Sequence, residues 1–247
     1  MLNNDSTLII TGASMGIGRA LALGLAGLGV NLVLNARTRD LLDQTAFQCS
    51  KQGVTARAVC GDISRPETAV CCVEKARESG RLTGFIHAAG LLNPGPYIWE
   101  LGYQEFSGVF DVNVLASFTL IREVVPLLIP AGQGLAVFIG SGAAEITQPG
   151  IAAYCAAKSA QEHLARQLAA ETRAVTCFVY RPGIVETRMQ EQARQARGGG
   201  ARELHRVFRP WKEKGQLLSP EQSAQGLINI LKNNPHKHHG KTVTWTP

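Results

Sequence analysis

The sequence predicts an α/β protein: a single doubly wound domain over residues 1–247, with a mostly parallel sheet of seven strands and helices on both faces. Three observations carry this. Short apolar runs alternate with longer stretches of 3.6-residue periodicity. No internal repeat and no linker rich in Pro, Gly or Ser divides the chain. A glycine-rich turn follows the first apolar run and opens the first helical stretch.

The apolar runs are 7–10, 31–34, 55–59, 85–87, 136–139 and 175–180, and a last strand follows the histidine-bearing stretch near the C-terminus. Unbroken apolar runs, without polar alternation, suit strands covered on both faces, as in a parallel sheet. Helical periodicity covers 18–28, 66–79, 152–172 and 220–231. The last of these opens with Ser219 and Pro220, a capping hydroxyl and a residue with no N–H to leave unpaired, and has Glu221 in its first turn. Alternating strands and helices imply right-handed crossovers. Residues 186–216 stand apart: they are charged, contain Gly198, Gly199 and Gly200, and show no clean period. An insertion after a late strand lies at the carboxyl edge of such a sheet, where ligands bind. A mobile segment covering the substrate is the expectation; a disordered surface excursion is the alternative.

A chain of 247 residues, 45% of them hydrophobic, is long enough for one sizeable core. No unbroken apolar run reaches membrane-spanning length, and the N-terminus has no basic flank or apolar segment of the signal-peptide kind, so a cytoplasmic protein is expected. Cys49, Cys60, Cys71, Cys72, Cys155 and Cys177 form no CxxC pair, which predicts reduced thiols. The net charge of +6 comes with arginines gathered between Arg181 and Arg209, without aromatic or glycine-rich nucleic-acid motifs. A solvated or phosphate-facing surface is expected, and no nucleic-acid partner. His236, His238 and His239 are read as a solvated loop, with no metal site.

The turn reads Thr11-Gly12-Ala13-Ser14-Met15-Gly16-Ile17-Gly18, a GxxxGxG spacing. Glycines let the backbone turn tightly and approach a pyrophosphate, while the helix N-terminus offers unpaired N–H groups at a positive dipole end. Gly12, Ser14, Met15, Gly16, Ile17 and Gly18 are therefore candidate dinucleotide contacts in a fold of Rossmann type. The second run ends in Ala36-Arg37-Thr38-Arg39, with no acid before Asp40. A guanidinium pairs with a 2′-phosphate that a carboxylate would repel, so Arg37 predicts NADP(H). Asp62, after the third run, can accept from an adenine amino group, or simply form a turn.

Tyr154 and Lys158 lie four residues apart and share one face of a helix, so an ammonium beside the phenol favours its ionised form. A phenol of pKa ~10 then serves as an acid near neutral pH. Ser141, ending a strand thirteen residues upstream, supplies a second hydroxyl for the same substrate oxygen. Cys155 points elsewhere around the helix and reads as a small core residue. Tyr97, Trp99 and Pro94-Gly95-Pro96 either line the substrate cleft or form a packed loop.

These pieces, in this order, resemble the short-chain dehydrogenase/reductase family over nearly the whole chain. The match includes the glycine turn, Asp62, His87-Ala88-Ala89-Gly90, Asn113, Ser141, Tyr154 with Lys158, and Arg181-Pro182-Gly183 through Thr187. The resemblance implies that Tyr154 is the general acid or base and that Ser141 orients the carbonyl. It implies that Lys158 holds the ribose and lowers the tyrosine pKa, and that Asn113 keeps a water in a proton relay. It extends the cofactor contacts to Ile63, Ala88, Ala89, Gly90, Pro182, Gly183, Ile184 and Thr187, and implies a homodimer or homotetramer. His87 departs from the family's usual asparagine, at a stretch that mainly stabilises the sheet.

Within the family the chain resembles the sepiapterin reductase and benzil reductase branch. The resemblance rests on Tyr154 through Lys158, Arg181 through Gln190, and Lys214 through Leu218 followed by Ser223-Ala224. That branch acts on dicarbonyl groups with NADPH. The C-terminal aspartate that anchors a pterin in sepiapterin reductases has no counterpart in 240–245, which argues against a pterin. The expected function is an NADPH-dependent carbonyl reductase acting on a ketone, with 1,2-dicarbonyl compounds favoured; sepiapterin or 3-oxoacyl reduction is the alternative. A non-catalytic NADP(H) sensor is the alternative of another class, but it would need only the glycine turn and Arg37.

Overall fold

The computed structural model describes residues 2–246, so Met1 and Pro247, the ends of the predicted domain, lie outside the described residues. Seven strands form one sheet, in the order β3-β2-β1-β4-β5-β6-β7. They are β1 (Ser6–Thr11), β2 (Asn31–Ala36), β3 (Ala56–Cys60), β4 (Arg81–His87), β5 (Leu135–Ile139), β6 (Thr176–Arg181) and β7 (Thr242–Thr244). Every neighbouring pair is parallel, so the sheet is wholly parallel where the sequence predicted mostly so. Strand order reverses between β1 and β4, which opens a crevice at their carboxyl ends.

The apolar runs are continuous because both faces are covered. Along β1, Leu8 and Ile10 enter one core layer with Leu21 and Leu25 of α1 (Gly16–Ala26), Leu42 of α2 (Arg39–Ser50), and Leu227 and Ile228 of α9 (Pro220–Asn233). Ile9 enters the opposite layer with Val73 of α3 (Pro66–Glu78), Leu120 of α5 (Ala116–Leu128) and Leu168 of α6 (Ala152–Glu171). In that layer Phe85 and Phe138 meet edge to face at 5.4 Å, each contributing roughly 2–3 kcal/mol by burial. Helix α9 starts as read: the Ser219 hydroxyl accepts from the Gln222 N–H at 3.1 Å, and Gln222 Oε1 accepts from the Ser219 N–H at 2.8 Å.

Residues 186–216 are not irregular. They carry α7 (Arg188–Arg194) and α8 (Ala201–Glu213). Charged residues mask the period, yet Leu204, Val207, Phe208 and Trp211 sit at i, i+3, i+4 and i+7 and give α8 a narrow apolar stripe. Glu186 ties the two helices, accepting from Arg194 at 2.7 Å and Lys212 at 2.6 Å. The histidine stretch lies at the surface, with His236 exposed, but forms a 3-10 turn (Pro235–His238) that is tied to the fold. His236 bonds the Thr176 hydroxyl, and His239 bridges the Cys177 N–H at 3.3 Å and the Ala169 carbonyl at 2.9 Å, fastening the C-terminal segment to β6 and α6.

Helix α4 (Tyr103–Phe110) runs through a π-helical turn (Asp111–Leu115) into α5. Within Tyr103–Ala131 an 18-residue window has a mean hydropathy of 1.7 and is long and apolar enough, by those measures, to cross a membrane. Half of it is buried, and α5 packs against β4, α3 and α6, so its apolar face serves the core.

Candidate active site

A cavity of about 940 Å³ lies along the carboxyl edge of the sheet. Its nucleotide end is the turn after β1. Gly12 has φ +66°, and a Cβ there would sit 2.7 Å from the Ala89 nitrogen, so no other residue fits without displacing the segment after β4. Met15, the residue before α1, supplies no capping side chain, and the backbone of Gly16, Ile17 and Gly18 lines the cavity. Uncapped first-turn N–H groups in a concave wall fit a phosphate. Ser14, Arg37, Thr38, Asp62 and Ile63 line the same end, whereas Arg39 does not. Asp62 Oδ1 is held by the Ser64 N–H at 3.0 Å and its hydroxyl at 2.8 Å, a turn that leaves Oδ2 outside these two bonds.

Ala88, Ala89 and Gly90 form the floor between the two ends. The Thr11 hydroxyl accepts from the N–H groups of Ala88 at 3.2 Å and Ala89 at 3.1 Å and bonds His87 Nδ1 at 2.8 Å. Burial pushes the His87 imidazole down to about 3, and the Lys158 charge pushes the same way, so the ring is a neutral brace between β1 and β4.

Beyond this floor Ser141, Tyr154 and Lys158 meet on the cavity wall. Ser141 follows β5 by two residues, and its hydroxyl accepts from the Ala143 N–H at 3.1 Å and pulls the Tyr154 phenol toward ionisation. Burial pushes the phenol up to about 12, against the lowering pull of Ser141. The sequence expectation that Lys158 draws the phenol toward ionisation is not met in this state: Lys158 Nζ lies 5.6 Å from the Tyr154 ring centroid and donates to the Ile139 carbonyl at 2.8 Å and Gln161 Oε1 at 2.7 Å. Burial also lowers the Lys158 ammonium to about 8, with Glu162 opposing. Asn113 is off the wall. It is fully buried in the π-helical turn, and its amide donates to the carbonyls of Leu91 at 2.9 Å and Val109 at 2.8 Å.

The far end is apolar and aromatic. Leu91, Leu92, Ile146, Ile151 and Met189 face Val207, Phe208 and Trp211 of α8, with Gln148 and Gln192 among them. Pro182, Gly183, Ile184 and Thr187 line the approach from β6. Asp62, at the nucleotide end, is the one acid on the wall among the described residues. Tyr97 and Trp99 stack on each other off the cavity, and Gly95 exchanges backbone bonds with Gly150 at 2.8 Å and Gly200 at 2.9 Å, so this segment is a loop fastened at Gly95 that leaves Trp99 exposed and does not line the cleft. Cys155 is half-buried and packs with the cluster around Leu92 and Val109.

Residues 6–198 match the family model of the short chain dehydrogenases. The chain belongs to the short-chain dehydrogenase family. An uncharacterised oxidoreductase of Schizosaccharomyces pombe is 30% identical over 247 residues, covering 98% of this chain and 96% of the relative. An NADPH-dependent pterin aldehyde reductase of Arabidopsis thaliana is 34% identical over 189 residues, covering 74% of this chain and 76% of the relative. Among solved structures, a putative NAD(P)-dependent gluconate 5-dehydrogenase of Beutenbergia cavernae with bound NADP superposes with a TM-score of 0.84 at 27% identity, covering 97% of this chain and 94% of that one.

This dehydrogenase carries a second set of site residues that sequence reading passed over. Glu162, 1% exposed, accepts from the Ser141 N–H at 3.2 Å, from Arg181 Nε at 3.0 Å and from Arg181 Nη2 at 2.7 Å. Arg181 also reaches Glu145 at 2.8 Å, and both carboxylates hold its guanidinium charged. A Cβ at Gly140 would fall 2.5 Å from Glu162 Oε1, so glycine there makes room for the carboxylate beneath Ser141. The one sequence signal was a Gln-Glu pair placed three and four residues after Lys158, where a helix turns the same face to the sheet.

Proposed function

We propose that this short-chain dehydrogenase is an NADPH-dependent carbonyl reductase acting on a ketone, with 1,2-dicarbonyl compounds the favoured class. The observation that carries the reading is the Tyr154 phenol, on one cavity wall with Ser141 and one helical turn from Lys158, where the phosphate-fitting end of the cavity meets its apolar end. Gly12 through Gly18, Asp62, Ile63, Ala88 to Gly90, and Pro182 to Thr187 would hold the dinucleotide. Arg37 would read the 2′-phosphate, in keeping with the NADP and NADPH named for the relatives. The reduced nicotinamide, when bound, supplies the hydride.

The chain's own residues handle the proton. Ser141 and Tyr154 both donate toward the substrate oxygen, and the phenol, kept protonated by burial, gives up its proton as negative charge builds on that oxygen. Lys158, charged below about pH 8, offsets the phenolate left behind and would hold the ribose when the dinucleotide is bound. Asn113 donates to the Leu91 carbonyl behind the substrate floor, and its Oδ1, which has no partner among the described residues, would be the atom that holds a relay water. The segment 186–216 covers the substrate with the Phe208 and Trp211 rings, 4.9 Å apart, and excludes water. The chain acts as one cytoplasmic domain in a homodimer or homotetramer, with Phe118 and Leu127 exposed on α5 in keeping with association.

The Arabidopsis relative favours a second reading, a pterin aldehyde, and the Gln148 and Gln192 amides are the groups that would pair its ring. Among the described residues the far end of the cavity has no carboxylate for the pterin donors, and each donor left unpaired costs ~1–3 kcal/mol. Steady-state NADPH oxidation over 1,2-diketones, quinones, ketosteroids, acyl ketones and pterins decides. A higher kcat/KM for a 1,2-diketone than for sepiapterin is expected; sepiapterin better by more than about tenfold overturns the dicarbonyl reading, and no turnover at all favours a sensor.

A further inference from the structure

We propose that Gln161 is a positioning residue for Lys158, and that the side chains of Gln161 and Ser117 tether the Lys158 ammonium to the main-chain carbonyl of Asn113. The inference rests on the roles given above to Tyr154 and Lys158. The contacts form one unbroken line: Lys158 Nζ donates to Gln161 Oε1 at 2.7 Å, Gln161 Nε2 donates to Ser117 Oγ at 3.1 Å, and Ser117 Oγ donates to the Asn113 carbonyl at 2.8 Å. Gln161, Ser117 and Asn113 are fully buried, so water does not compete for these bonds.

The line has a direction. Ser117 has one hydroxyl proton, and it is given to Asn113, so toward Gln161 it can only accept. That fixes the amide with its nitrogen on Ser117 and its oxygen on Lys158. A buried carbonyl oxygen so oriented favours the charged ammonium over the neutral amine. The anchor is the π-helical turn Asp111–Leu115, an irregularity of the kind that often marks functional positions.

Other groups bear on Lys158 from each side. On its own helix are the Tyr154 phenol and Glu162, whose carboxylate is shared with Arg181 of β6. From β5 comes the Ile139 carbonyl, and from β4 the neutral His87 ring. Gln161 is an uncharged side chain that bonds Lys158 directly and takes no part in the Glu162–Arg181 pair, so replacing it changes the field on Lys158 without breaking that pair.

The test compares Gln161→Leu and Gln161→Glu with the unaltered protein. Lysine side-chain carbon NMR, with Lys158→Met to assign the resonance, follows the Lys158 titration in protein without ligands. The titration midpoint should fall by about one pH unit in Gln161→Leu and rise in Gln161→Glu, the scale of one hydrogen bond to a charged group. The alkaline limb of kcat/KM for ketone reduction should move with it, so that Gln161→Leu loses about tenfold more activity at pH 9 than at pH 6.5. Where Gln161→Leu does not fold, the isosteric Gln161→Glu decides by its sign. A midpoint unmoved in the folded variants overturns the tether. If the midpoint moves while the alkaline limb stays in place, the tether stands and the role of Lys158 in catalysis fails.

Discussion

The two ends of the cavity are built differently. At the nucleotide end, one continuous segment from Thr11 to Gly18 supplies the phosphate-fitting wall, and it does so with backbone N–H groups and missing Cβ atoms. At the reaction end, Ser141 comes from just past β5, Tyr154 and Lys158 from α6, Arg181 from the end of β6, and the rings of Phe208 and Trp211 from α8. Three of these elements, β5, α6 and β6, are held in register there by buried polar contacts, chiefly Glu162 beneath Ser141 and beside Arg181. A site made of backbone tolerates side-chain change around it, whereas a site made of converging side chains depends on the buried groups that aim them.

Substitutions at each end sharpen this contrast. The largest effect on rate is expected from Tyr154→Phe, which removes the proposed proton donor and should lower kcat by about 1,000-fold or more, with the NADPH dissociation constant nearly unchanged. Near wild-type turnover in an NADPH oxidation assay would rule out the proposed acid. Next is Glu162→Leu, which leaves Arg181 and the Ser141 N–H without their buried partner and should cost about 3 kcal/mol in urea unfolding. An unchanged unfolding midpoint would mean that Glu145 alone suffices for Arg181.

At the nucleotide end, Arg37→Ala should weaken NADPH by ~1.5–3 kcal/mol and leave NADH almost untouched. Equal loss for both cofactors in a fluorescence titration would take the phosphate-reading role away from Arg37. The smallest effect lies far from either end. Ser219→Ala deletes the hydroxyl that caps α9 and should cost about 1 kcal/mol, read from chemical denaturation; no loss would show that Pro220 and Gln222 start the helix unaided.

The contrast also explains what could be read in advance. Strands buried on both faces are written as apolar runs, and the glycine turn is local, so the order of strands along the chain and the nucleotide end were legible, whereas β4 begins at Arg81, four residues before the apolar run that marks it. The apolar stripe of α8 was present at the right spacing but hidden among arginines, because period finding weighs a few apolar positions against many charged ones. Gln161 and Glu162 on α6 are buried, which residue type alone does not reveal, since Gln and Glu are mostly exposed. The sequence by itself determined the alternation of strands and helices, the phosphate-fitting turn, and the Tyr154 and Lys158 pair on one helical face. Only the tertiary structure decided that Glu162 supports Ser141, that Lys158 turns to Gln161 and Ile139, and that α8 closes the cavity with two aromatic rings. The physical reason is range: turns and periodicity are set by neighbours a few residues apart, whereas the partner of a buried charge is chosen by packing among strands and helices distant in the chain.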